Sequence, residues 1–188
     1  MDAVNQNLKI AKSKTQILSE LRLDEGKFML ATSHRQENVD GKGRFAGIVK
    51  GLQLVQGEFN IHLVYPIHPR ARKQLELFGI DTTGLTLIEP LDYLAFLKLE
   101  SKAKLVLTDS GGVQEEACIL GVPCVSLRDN TERLETIEVG SNMLAGANPQ
   151  RILEAAKTMS EAKNGWANPF GAGKTGSRII NILRNELK

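Results

Sequence analysis

Short, mostly apolar runs and amphipathic stretches alternate along the chain. The runs lie at 27–33, 60–66, 85–88, 105–107 and 122–127, with a briefer one at 142–144. Their length and content predict strands buried on both faces. Phe45, Ile48, Val49, Leu52 and Val55 recur on one side of a helix predicted over 44–55. Helices are also expected over 5–23, over 71–78 with Gly79 as its stop, and over 92–99. Another passes through Val113, Ala117 and Leu120 and ends at Gly121 and Pro123. The last two cover 148–159, with Pro149 close to the first helical position, and 174–187, after a loop at 166–173. Strands alternating with helices predict an α/β fold. The expected architecture is a doubly wound parallel sheet of Rossmann-like kind.

In such a sheet a ligand binds beyond the carboxyl ends of the strands, where the strand order reverses. Four polar clusters fall just after predicted strand ends: 34–38, 68–70, 110–116 and 128–133. The most informative stretch is 104–121, KLVLTDSGGVQEEACILG. It reads as a strand, a glycine turn and a helix start. Free N–H groups at the positive end of a helix dipole suit a phosphate. Gly111 and Gly112 carry no Cβ to hold it off. Glu115 and Glu116 follow, and an acid there can accept hydrogen bonds from ribose hydroxyls. His34 could hold a diphosphate or pass a proton, and Arg133 could clamp a phosphate with its fork of donors. Each residue also has a structural reading. Gly-Gly can be a close-packed turn, His34 a strand-end cap and Arg133 a solvated side chain. Arg35 can pair with Glu37, His68 can start a helix before Pro69, and Phe96 can belong to the core. The convergence of all four clusters on one sheet edge favours an anionic ligand.

Composition narrows the picture by exclusion. The 188 residues, 41% hydrophobic and 24% charged, suffice for one domain with a full core. A net charge of +2 and 5% aromatic residues give no drive toward nucleic acid. No run is long enough to span a bilayer, and the polar start has no leader pattern, so a cytoplasmic protein is expected. Cys118 and Cys124 match no zinc or redox spacing and read as buried thiols. No metal site is expected.

The blocks TSHRQENVD, PLDYLAFLKL, LTDSGGVQEEA, GVPCVSLRDNTERLET and NPFGAGKTGSRII together resemble the non-hydrolysing UDP-N-acetylglucosamine 2-epimerases. The resemblance extends from Asp2 to Leu187. It implies one half of a GT-B fold, the C-terminal, UDP-binding domain. Residues 1–24 would connect from a missing N-terminal domain, 25–170 would form the UDP-binding domain, and 171–188 a C-terminal helix. Ser110, Gly111 and Gly112 would hold the diphosphate, Glu116 the ribose, Arg133 the nucleotide, and Phe96 would pack near uracil. His34 would lie at the diphosphate and be needed for activity. Arg35 and His68 are the nearest matches to residues that bind an activating second UDP-sugar in bacterial members.

The implied reaction removes the C2 proton of UDP-N-acetylglucosamine and expels UDP from C1, then adds both back to give UDP-N-acetylmannosamine. No redox cofactor is required. The setting implied is polysaccharide biosynthesis, with an N-terminal half in cis or trans and a possible homodimer. Two positions depart from the family pattern: Leu134 replaces the proline of TERPE, and Ala172 stands where an aspartate is common. The proton-transfer carboxylates would come largely from the absent half, so this chain alone is expected to be inactive. Two other readings stay open: the donor-binding domain of a GT-B glycosyltransferase, and a non-catalytic UDP-binding module.

Overall fold

A computed structural model describes residues 1–162 and 165–187. The elements are α1 (Asp2–Lys14), α2 (Ile17–Glu20), β1 (Phe28–Thr32), α3 (Gln36–Val39), α4 (Lys42–Phe59), β2 (His62–Pro66), α5 (Pro69–Phe78) and β3 (Thr86–Ile88). They continue with α6 (Tyr93–Glu100), β4 (Leu105–Thr108), α7 (Gly111–Leu120), β5 (Cys124–Ser126), α8 (Leu134–Glu138), β6 (Asn142–Leu144), α9 (Pro149–Ser160) and α10 (Thr175–Glu186). The strands form a single six-stranded sheet in the order β3-β2-β1-β4-β5-β6. Every neighbouring pair is parallel. This is the doubly wound, Rossmann-like arrangement, and its order reverses between β1 and β4.

The central strands are buried on both faces, which is why they read as unbroken apolar runs. Met29, Ala31, Leu63, Tyr65, Leu105 and Leu107 join one core, with Phe45, Ile48 and Leu52 of α4 and Ile152 and Ala156 of α9. Phe28, Leu30, Val64 and Val106 point the other way, against Ala95 and Leu99 of α6 and Ala117 of α7.

Helices α4 and α9 pack closely because glycines of α4 face α9. A Cβ on Gly47 would stand 2.5 Å from the carbonyl oxygen of Ala147, and one on Gly51 2.6 Å from Ile152 Cδ1. Gly47→Ala should therefore cost about 1–3 kcal/mol, since the obstacle is backbone and cannot rotate away. Gly57→Ala in the same helix meets nothing within 4 Å and should stabilise by up to about 1 kcal/mol. Urea denaturation checks both, and a Gly47→Ala midpoint equal to wild type would refute the close approach.

Some boundaries differ from expectation. The helix expected over 5–23 is two helices. Thr15 is extended (φ −128°, ψ 138°), and its Oγ1 accepts from Ile17 N–H. The bend buries Ile17 in the second core. The strand expected over 122–127 shrinks to Cys124–Ser126, because Val122 N–H bonds back to Ala117 O and closes α7 beyond Gly121, whose φ is +74°. The short α3 and α8 lie inside polar clusters, where too few apolar positions exist to show a period. Among the described residues, no helix is long and apolar enough to cross a membrane.

Candidate functional site

The site begins where β1 and β4 end side by side. The hydroxyls of Thr32 and Thr108 are 2.7 Å apart and share a hydrogen bond. The next residue, Asp109, is fully buried. Its carboxylate accepts hydrogen bonds from Ser33 Oγ (2.8 Å), His34 N–H (3.0 Å), Arg35 N–H (3.1 Å) and Asn38 Nδ2 (3.0 Å). The buried Tyr65 hydroxyl donates to Ser33 O at 2.7 Å. Burial and the Asp109 charge raise the Tyr65 phenol above its ordinary pKa, so it remains a donor. Asp109 thus fastens the turn after β1 onto the end of β4, with His34 Nδ1 3.5 Å from its Oδ1. Sequence reasoning missed it. Its signal was an acid closing an apolar strand directly before Ser-Gly-Gly.

Ser110 caps α7, with Oγ accepting from Val113 N–H at 3.5 Å. Neither Gly111 nor Gly112 has a positive φ, so the turn does not need glycine for its dihedral angles. What Gly111 provides is room: a Cβ there would lie 2.6 Å from Glu132 Oε1 and 3.7 Å from Arg133 Nε. A Cβ on Gly112 would meet only Ser110 Oγ, at 3.9 Å.

Charged side chains from the ends of β1 and β5 interlock above this turn. Glu132 accepts from Arg128 Nη1 (2.6 Å) and Arg35 Nη2 (3.2 Å). The hydrogen bond from Arg128 chiefly, with its charge and that of Arg35, holds the Glu132 carboxyl down to about 2. Glu37 lies 3.4 Å from Arg128 Nε, so the expected Arg35–Glu37 pair is replaced by two pairs across the edge. Arg133 is not free in solvent; its Nε is 2.5 Å from Glu115. Arg44 Nε bonds Asn38 Oδ1 and its Nη1 bonds Asp129, both at 2.8 Å. Thr131 donates to Gln114 of α7 at 2.6 Å and fixes the loop carrying Glu132 and Arg133. Leu134 is exposed at the first position of α8, which accepts proline or leucine alike.

A cleft of about 200 Å³ opens beside α7, and His34, His68, Phe96, Ser110 and Val113 line it. The His34 and His68 rings are 5.6 Å apart. His68 also caps α5, its Nδ1 accepting from Arg70 N–H at 3.2 Å. Phe96 is half-buried and packs against the second core, so its core and cleft readings both hold. Glu116 lies one turn along α7, off this cleft, and accepts from Tyr93 Oη at 2.8 Å. Burial chiefly raises its carboxyl above the usual range.

The family model described as UDP-N-acetylglucosamine 2-epimerase matches residues 1–184. The chain belongs to this family. It is 47% identical over 191 residues to the UDP-N-acetylglucosamine 2-epimerase of Methanocaldococcus jannaschii, across 97% of this chain and 52% of that protein. The solved M. jannaschii enzyme in complex with UDP-GlcNAc and UDP is 46% identical, with a TM-score of 0.87 over 98% of this chain and 52% of its own. The Neisseria meningitidis epimerase bound to UDP-GlcNAc is 32% identical, with a TM-score of 0.83 over 98% of this chain and 53% of its own. This epimerase-family chain thus spans about half the length of the relatives it matches.

Proposed function

We propose that this chain is the UDP-binding half of a UDP-N-acetylglucosamine 2-epimerase. The observation that carries the reading is Asp109 fastening the His34–Arg35 turn beside the Ser110 cap of α7. It sets a histidine and a helix N-terminus on one small cleft at the switch point, with Glu132 and Arg133 packed beside Gly111 of the same turn.

In this reading Ser110 and the N–H groups of Gly111 and Gly112 bind the diphosphate. Arg133 turns from Glu115 to the nucleotide, Phe96 packs near uracil and Glu116 accepts from the ribose hydroxyls. Arg35 and His68 face a second UDP-sugar. Loss of the C2 proton as the C1–O bond breaks gives a 2-acetamidoglucal and UDP. Negative charge grows on the leaving phosphate, where the α7 dipole and His34 stabilise it. UDP stays bound and adds back to C1 while a proton returns to the opposite face of C2. Groups outside this chain carry out proton transfer at C2.

NMR of the chain with UDP-N-acetylglucosamine in D2O tests this. The expected result is broadened ligand signals without deuterium entering C2. Deuteration with formation of UDP-N-acetylmannosamine would show a full active site in this chain. Absence of binding would refute the UDP site.

A further inference from the structure

Glu100 ends α6, is fully buried, and meets no protein donor at either carboxyl oxygen. Apolar side chains of α6, including Ala95 and Leu99, join the core shared with Val106, Ala117 and Cys124. Its polar neighbour is Glu116 of α7: Tyr93, which bonds Glu116 at 2.8 Å, lies two turns back on the same face of α6, and this brings the two carboxyl groups within reach of each other. Two carboxylates cannot bond one another; one of the pair must carry a proton.

The other groups around the pair settle which one. Cys124 of β5, in the same core, is a thiol kept neutral by burial and by the nearby Glu100. Tyr93, on the same helix as Glu100, donates to Glu116 and stays protonated, because burial and Glu116 raise its phenol. Glu115 repels Glu116 but is itself paired with Arg133. The Met1 amino group favours a charged Glu116. No cation is paired with Glu100 among the described residues. The more deeply buried acid, Glu100, therefore keeps the proton.

We propose that Glu100 is a positioning residue, a neutral carboxylic acid that donates a hydrogen bond to the Glu116 carboxylate from beneath. With Tyr93 Oη on the other side, it holds that carboxylate in one orientation and leaves its outward lone pairs for the 2′- and 3′-hydroxyls of a ribose. This rests on the reading that Glu116 binds ribose. An acceptor fixed from two sides selects a diol more sharply than a mobile one.

The test is calorimetric binding of UDP and 2′-deoxy-UDP to the 188-residue chain and to its Glu100→Leu, Glu100→Gln and Glu116→Ala variants. Wild type should prefer UDP by about tenfold or more, as a charged hydrogen bond implies. Glu100→Leu should cut that preference to about threefold or less, with 2′-deoxy-UDP affinity unchanged. Glu100→Gln, whose amide donates permanently, should keep it. As pH rises the wild-type preference should decline once the shared proton is lost, whereas that of Glu100→Gln should stay flat. This pH comparison decides the matter even if Glu100→Leu fails to fold. A full preference in Glu100→Leu, or equal pH profiles for wild type and Glu100→Gln, overturns the proposal. If wild type shows no preference, or Glu116→Ala keeps it, the ribose reading fails and the proposal falls with it.

Discussion

Asp109→Ala should lower the free energy of unfolding by about 3–5 kcal/mol and abolish UDP binding by whatever still folds. The carboxylate has no exposure and accepts from Ser33, His34, Arg35 and Asn38. Alanine would strand a hydroxyl, two backbone N–H groups and an amide in a dry pocket. Each unmet buried donor costs about 1–3 kcal/mol, and water entering the space would recover part of the sum. The turn carrying His34 and Arg35 would also lose its tie to β4. Asp109→Asn should do less damage, although its amide sets donor against donor toward one of these groups. Chemical denaturation with calorimetric UDP binding measures both effects. A loss under about 1 kcal/mol, or intact binding, would refute this central role for Asp109.

His34→Ala should separate function from folding. The side chain is 44% exposed and lies 3.5 Å from Asp109 Oδ1, while the bonds to Asp109 come from backbone N–H that alanine retains. Stability should therefore move by less than about 0.5 kcal/mol. In a two-domain enzyme, loss of a group that the proposed mechanism puts beside the leaving phosphate should lower C2 exchange by about a hundredfold or more. The readout is deuterium incorporation at C2, with the unfolding midpoint as control. A fall under about threefold would remove His34 from the chemistry.

Much of the fold was legible because both faces of the central strands are covered. Such strands leave uninterrupted apolar runs, as at Leu105–Thr108, while the helices between them keep a one-sided stripe, as α4 does with Phe45, Ile48 and Leu52. Polar clusters after those runs marked the edge on which the candidate site residues meet. Pairings between clusters were not legible. Arg35 meets Glu132, 97 residues away, rather than Glu37 two positions on, because the sheet order brings β1 and β5 loops together. Asp109 was hidden for the same reason: a lone acid shows nothing of the donors 71 to 76 residues before it. Glu100 carries no signal of its own in the sequence; only the packing of α6 puts this acid in the core.

The arginines around the glycine turn have a consequence for how an anion arrives. Arg35, Arg44, Arg128 and Arg133 each already hold a carboxylate. On the proposed reading a diphosphate would not enter a vacant positive basin; it would compete with resident acids, each guanidinium exchanging one oxyanion for another. Such an exchange releases little net electrostatic energy per contact. It favours a ligand that engages several arginines at once over a simple anion that engages one. On that reading Glu115 and Glu132 would occupy places that the ligand takes. While the cleft is empty these acids offset the mutual repulsion of the guanidiniums, and by the same competition they would screen out small anions.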